Sequence, residues 1–146
     1  MSTKVAFDIG GVIVNKTSRE PYPEALISIK LYVEKLKPEN VYILSKAKDK
    51  WIKANIELFE RLDFYNVTGV TKDNVIFVDE YVDKRKKCEQ LDITYMIDDS
   101  VKVIRFMQDI NTTPIWFGEH NVPTTEKLEY VNVPKWKHLR KLLNKI

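Results

Sequence analysis

The sequence has little in it that would staple or divide a chain. A single cysteine, Cys88, excludes an internal disulfide. It follows a basic cluster at a spacing that places it on the inner face of a helix, which marks a buried free thiol rather than a reactive one. No run approaches the ~18 uncharged apolar residues that a membrane span requires. The start, Met1 to Lys4, lacks the charged region, apolar run and cleavage site of a secretory leader, so a cytoplasmic location with no membrane partner is expected. Internal repeats, low-complexity segments and Pro/Gly/Ser linkers are also missing, which excludes a solenoid and a flexibly jointed pair of domains. Nor is there a strong excess of one charge. Lys and Arg number 24 against 21 Asp and Glu, for a net charge of +3 and a pI near 8.8. That balance suits a phosphate-bearing ligand without demanding nucleic acid.

What remains is one core's worth of apolar residues. At 146 residues and 44% hydrophobic composition, the expectation is a single domain spanning residues 1–146. Short apolar runs at residues 4–7, 41–44, 75–78, 94–97 and 114–117 read as buried strands. Between them, apolar positions recur at three- and four-residue spacing: Ala25, Leu26, Ile29, Val33 and Leu36 in one segment, Trp51, Ile52, Ile56, Phe59 and Leu62 in the next. Further helices are expected at residues 84–91, after Ser100, and at 135–145, while 64–74 and 118–134 read as loops with at most short strand pieces. Strands alternating with helices predict a three-layer, Rossmann-like α/β domain with a central, mostly parallel sheet. Ligands in such folds bind at the carboxyl ends of the strands, which is where Asp8, Ser45 and Asp98 fall.

Four short motifs sit at or beside those ends: Val5-Ala6-Phe7-Asp8-Ile9-Gly10-Gly11-Val12, Tyr42-Ile43-Leu44-Ser45, Asp83-Lys84, and Tyr95-Met96-Ile97-Asp98-Asp99-Ser100. In this order they resemble the haloacid dehalogenase-like (HAD) phosphatase superfamily over nearly the whole chain. Within it the stretch from Lys84 to Cys88, that from Leu91 to Asp99, and Ile115 to Phe117 resemble the cytosolic deoxyribonucleotidase branch. The resemblance implies a Mg²⁺-dependent phosphomonoester hydrolase in which Asp8 attacks phosphorus and carries an aspartyl phosphate, splitting one hard displacement into two easier ones. Nucleophile and substrate are both anionic, so cations must hold them together. The implied metal ligands are Asp8, the Gly10 carbonyl, Asp98 and Asp99; the implied phosphate ligands are Ser45, at the start of a helix, Lys84 and the Gly11 backbone. Lys84, with Asp83 as its N-cap, matches the third motif, with Lys86 and Lys87 as competitors.

The chain departs from that pattern at Gly10, where the family's phosphatases carry the aspartate that protonates the leaving group. Losing a general acid removes about a hundred- to ten-thousandfold in rate, so slow hydrolysis or a phosphate-recognition protein is implied. Glu119 and His120, after the last apolar run, are candidates for a substitute acid. The intervals before and after Ser45 are too short for a cap domain, so the site is expected to be open. The expected substrate is a small phosphorylated molecule such as a nucleotide, with a nucleic-acid end as a less favoured alternative and the oligomeric state left open. Trp51 and Phe59 are expected in the core, and the basic residues of 135–145 on the wet face of their helix.

Overall fold

The computed structural model describes residues 2–120 and 126–146. Six parallel strands form one sheet in the order β3-β2-β1-β4-β5-β6: β1 is Val5–Phe7, β2 Val41–Lys46, β3 Val75–Val78, β4 Tyr95–Asp98, β5 Thr113–Phe117 and β6 Val131–Val133. The first three strands run outward to one side, after which the chain crosses back and places β4 on the other side of β1. Phe7 is in register with Ile43 on one neighbour and Ile97 on the other. The crevice at such a reversal of strand order is where open α/β sheets bind ligands.

β1 is central, so both of its faces are covered and all three of its residues are buried. Side chains alternate across a strand. Val5 and Phe7 therefore enter one apolar cluster, with α1 (Ala25–Leu36), α2 (Asp49–Arg61), α3 (Phe64–Thr68) and α6 (Trp136–Leu143), while Ala6 enters the other. That second cluster packs Leu44 and Met96 against Cys88 of α4 (Tyr81–Leu91) and Val103 of α5 (Val101–Phe106). α1 buries Ala25, Ile29, Tyr32 and Val33, the spacing of a single helical face. Phe7 meets Tyr32 edge-on, with ring centroids 5.3 Å apart. α6 is tied down at the start and middle of its buried face: Trp136 Nε1 donates to the Val12 carbonyl at 2.8 Å, and the Tyr32 hydroxyl donates to the Leu139 carbonyl.

The three-layer parallel α/β fold is as the sequence pattern predicts, with local differences. Residues 64–68 form α3, not loop, and residues 131–133 form β6 at the sheet edge. Residues 121–125 of the expected 118–134 loop lie outside the described residues. α4 begins at Tyr81 instead of residue 84, because Glu80 and Asp83 make a reciprocal capping box. Asp83 is therefore the third residue of the helix, accepting from the Glu80 N–H at 3.0 Å, and Glu80 is the N-cap. α2 starts at Asp49, so Ser45 lies within β2 and does not begin a helix. Trp51 is 50% exposed, against the expectation of a core position, whereas Phe59 is buried as expected. Cys88 is buried, and burial pushes its thiol up to about 12. Among the described residues no helix is long and apolar enough to cross a membrane.

Candidate active site

Asp8 and Asp98 project beyond adjacent strands, held level by the β1–β4 register and by the Asp8 N–H donating to the Ile97 carbonyl at 3.0 Å. Between them stands Lys84, reaching up from the first turns of α4. Its Nζ lies 2.6 Å from Asp98 Oδ2 and 3.2 Å from Asp8 Oδ1, and its side chain is 1% exposed. The alternatives point elsewhere: Lys86 lies 3.7 Å from Asp83 on the surface, and Lys87 donates to Gln90. A buried charge is tolerated only when it is paired and hydrogen-bonded, and Lys84 has two carboxylates. Burial works against its ammonium, but Asp8 and Asp98 outweigh that and raise its pKa.

The negative charge at this edge is not fully relieved. Asp8, Asp98 and Asp99 each offer an oxygen, all within 4.8 Å of one another. Burial, and then the charge of Asp98, push the Asp8 carboxyl up to about 7 despite Lys84. Burial also raises Asp99, opposed chiefly by Lys16, whose Nζ is 2.9 Å from Asp99 Oδ2. Asp98, completely buried, spends its second oxygen on the Ser100 N–H at 3.0 Å, which opens α5. Three convergent, crowded carboxylates suit a hard divalent cation, which would neutralise the repulsion that shifts Asp8.

The loop after β1 carries a second layer of the site. The N–H groups of Val12, Ile13 and Val14 turn back onto the Ile9 carbonyl, and Gly11 N–H donates to the Val14 carbonyl at 2.7 Å. Val14 then pairs antiparallel with Pro21. At the tip, the Asn15 side chain accepts from the Thr17 and Ser18 N–H groups, and its carbonyl accepts from the Arg19 N–H. This tight hairpin returns Lys16 and Arg19 to the cleft. Gly11 adopts φ +87°, and a Cβ there would lie 2.1 Å from Asp99 Oδ2, so only glycine lets Asp99 take its place.

Asp8, Gly10, Ser45, Lys84, Asp98 and Asp99 line one open cleft of about 350 Å³. Gly11, Glu119 and His120 do not; with Tyr22, Phe117 and Trp136 they line a larger cleft of about 600 Å³ on the far side of Asp99. His120 is stacked on Trp116 with centroids 4.3 Å apart, and its Nε2 lies 2.7 Å from the Phe117 carbonyl. Sequence reasoning missed Lys16, Arg19, Lys46, Asn55 and Tyr81, which line the Asp8 cleft together with Trp51. Lys46 stands over the Tyr81 ring at 4.7 Å. The Lys-aromatic pairing carries no periodic signal, and the hairpin's polar residues reveal their direction only once the loop is closed.

No protein-family model matches the sequence, and no curated protein matches it. Among solved structures, the chain is similar to a haloacid dehalogenase-like family hydrolase from Xanthomonas campestris, with a TM-score of 0.59 and 13% identity. The match covers 86% of this chain and 54% of the other, so the chain spans about half the length of that hydrolase. Strand order, layers and this similarity together give the chain the fold of a haloacid dehalogenase-like hydrolase domain.

Proposed function

We propose that the protein is a Mg²⁺-dependent phosphomonoester hydrolase working through an aspartyl phosphate on Asp8. The observation that carries this reading is the buried ammonium of Lys84 shared between Asp8 and Asp98 at the switch point of the sheet. A structural ion pair needs one carboxylate; here three converge on one small volume with a carboxyl shifted toward neutrality, the pattern of a reacting site.

In this mechanism Asp8 and Asp98, with the Gly10 carbonyl and Asp99, hold Mg²⁺. The bound ion supplies positive charge where phosphate and carboxylate meet. Lys84 fixes the Asp8 carboxylate for attack and, with the Ser45 hydroxyl, steadies the phosphoryl oxygens; the Gly11 N–H, expected to join them, is spent on the Val14 carbonyl. Asp8 forms a bond to phosphorus as the ester P–O bond breaks; water then attacks the phosphorus, releasing inorganic phosphate and returning the carboxylate. The cleft is open, and only a helix with the hairpin, or α2 with α3, separates the strands that frame it. By the resemblance of its motifs to the nucleotidase branch, nucleotides are the first substrates to try.

Gly10 favours one competing reading, a phosphate-recognition protein that binds without turnover. Release of inorganic phosphate separates the two. Nucleotides, sugar phosphates, 3′- or 5′-phosphorylated oligonucleotides and an aryl phosphate are offered with Mg²⁺ or EDTA, to the native chain and to Asp8→Asn. Mg²⁺-dependent release that Asp8→Asn abolishes is the expected result. Binding of Mg²⁺ and phosphate with no release from any compound refutes the hydrolase.

A further inference from the structure

The position left empty at Gly10 has an occupied neighbourhood. A Cβ built on Gly10 would stand 3.7 Å from Arg19 Nη1 and 3.7 Å from Lys16 Cγ, and nothing else comes nearer. Two cations thus border the space into which a leaving-group acid would project, but they are not equivalent. Lys16 is already spent on Asp99 at 2.9 Å and is largely exposed. Arg19 has no carboxylate partner among the described residues. It is held by neutral groups instead: its Nη2 donates to Oδ1 of Asn55, a side-chain amide on a residue only 4% exposed, and its guanidinium lies 5.5 Å from the centre of the Trp51 ring. Arg19 itself takes a left-handed backbone conformation, φ 63°, at the end of the hairpin that aims it.

This is a built arrangement. Asn55 and Trp51 stand one helical turn apart on α2, so one helix face clamps the guanidinium while leaving Nη1 directed at Gly10. An uncompensated cation held by an amide and an aromatic face keeps its charge available for an anion from outside.

Building on the hydrolase reading, we infer that Arg19 takes over the task of the missing acid by a different physical means. A guanidinium stays protonated and cannot serve as an acid, so it offsets charge on the leaving oxygen rather than protonating it. As Asp8 bonds to phosphorus, the electron pair of the breaking P–O bond departs with the ester oxygen. That oxygen leaves as an anion against Arg19 Nη1 and takes its proton from water afterwards. In the second step water bonds to phosphorus, the Asp8 carboxylate is released, and the proton goes to solvent. The substrate class follows: phosphates whose leaving oxygen is weakly basic, meaning aryl, enol and acyl phosphates. Alkyl phosphates, nucleotides among them, have strongly basic leaving alkoxides and are turned over more slowly.

The test is the dependence of kcat/KM on leaving-group pKa across a graded series of aryl phosphates extended by an alkyl phosphate. It is run with Mg²⁺ on the full chain, on Arg19→Gln, on Arg19→Lys and on Asp8→Asn. The native chain is expected to show rates falling as the leaving group grows more basic. Arg19→Gln should lose about a hundredfold at the basic end and much less at the acidic end, which steepens the slope, and Arg19→Lys should recover part of it. A merely structural role for Arg19 lowers all rates together and leaves the slope alone. An unchanged slope in Arg19→Gln, or a flat slope in the native chain, overturns the inference while leaving the hydrolase standing. Absence of any Asp8-dependent turnover refutes the hydrolase itself. If Arg19→Gln does not fold, Arg19→Met, which keeps the apolar stem and deletes the charge, carries the comparison with the same criteria.

Discussion

Replacing Lys84 by methionine keeps most of the buried stem and deletes only the charge. Two carboxylates at 2.6 and 3.2 Å then lose their shared partner in a place water barely reaches. Breaking a buried pair by removing one member costs about 3–5 kcal/mol, and that loss should depend on pH. The Asp8 carboxyl is already raised from the ordinary 3.8 to about 7, so between those values the folded protein binds a proton that the unfolded chain has released. Stability in the native sequence therefore falls as pH rises through this window, by up to about 1.4 kcal/mol per unit. Without Lys84, whose charge lowers the Asp8 carboxyl, that carboxyl rises further and the fall continues past 7. Urea unfolding followed by circular dichroism, without metal, should show Lys84→Met weakened by about 3–5 kcal/mol at pH 8 and far less at pH 5, where proton uptake relieves the repulsion. Added Mg²⁺ should restore part of the loss at pH 8, since binding only the folded state stabilises it. An equal loss at both pH values, or under about 1 kcal/mol at pH 8, the worth of an exposed pair, would refute the electrostatic account of the site.

Other substitutions probe its parts. Asp8→Asn removes one charge from the crowded cluster, so it should abolish phosphate release while leaving the urea midpoint at pH 8 unchanged or higher; a large drop would mean that Asp8 serves the fold. Gly11→Ala places a methyl 2.1 Å from the Asp99 carboxylate in a left-handed backbone and should weaken Mg²⁺ binding in calorimetry, whereas Gly10→Ala, with ordinary contacts at 3.7 Å, should bind as the native chain does. Equal affinity in both variants would remove Asp99 from the metal site. Gly10→Asp fits the same open space and should raise turnover of alkyl phosphates, by as much as about a hundredfold if the new carboxyl acts as an acid; an unchanged rate would show that Arg19 and Lys16 hold that carboxyl ionised.

The parts legible in the sequence were those set by short-range rules. Three apolar residues ending at Asp8 and three ending at Asp98 define buried strands and their exits, and the register then brings the two carboxylates together without further information. Lys84 stood out only against Lys86 and Lys87, which needed the helix phase to be dismissed. Elements too short to show a period were missed or left unplaced: α3 spans five residues, and β6, one of the short strand pieces expected within 118–134, is an edge strand whose Val131 is exposed. The start of α4 was misplaced because a capping box depends on side-chain geometry, which apolar spacing does not report. Trp51 falls in the apolar series with Ile52, Ile56, Phe59 and Leu62, so periodicity assigns it inward, but its turn lines the cleft beside Asn55. Arg19 was invisible for a stronger reason, since its direction depends on a hairpin closed by backbone bonds and on an amide thirty-six positions away.

Of the eleven residues of α4, only Lys84 and Cys88 are buried. Tyr81 and Leu91 pack at the rim of the second apolar cluster, so one of the two fully buried side chains that dock the helix to the sheet is the lysine that also serves the cleft. Amide exchange in this helix should therefore report on the chemistry at the other end of the lysine: when the carboxylates are compensated by protons or by a cation, α4 loses a reason to stay closed, and its protection should change before that of β1 or α1. The helix and the cleft breathe together because one side chain belongs to both.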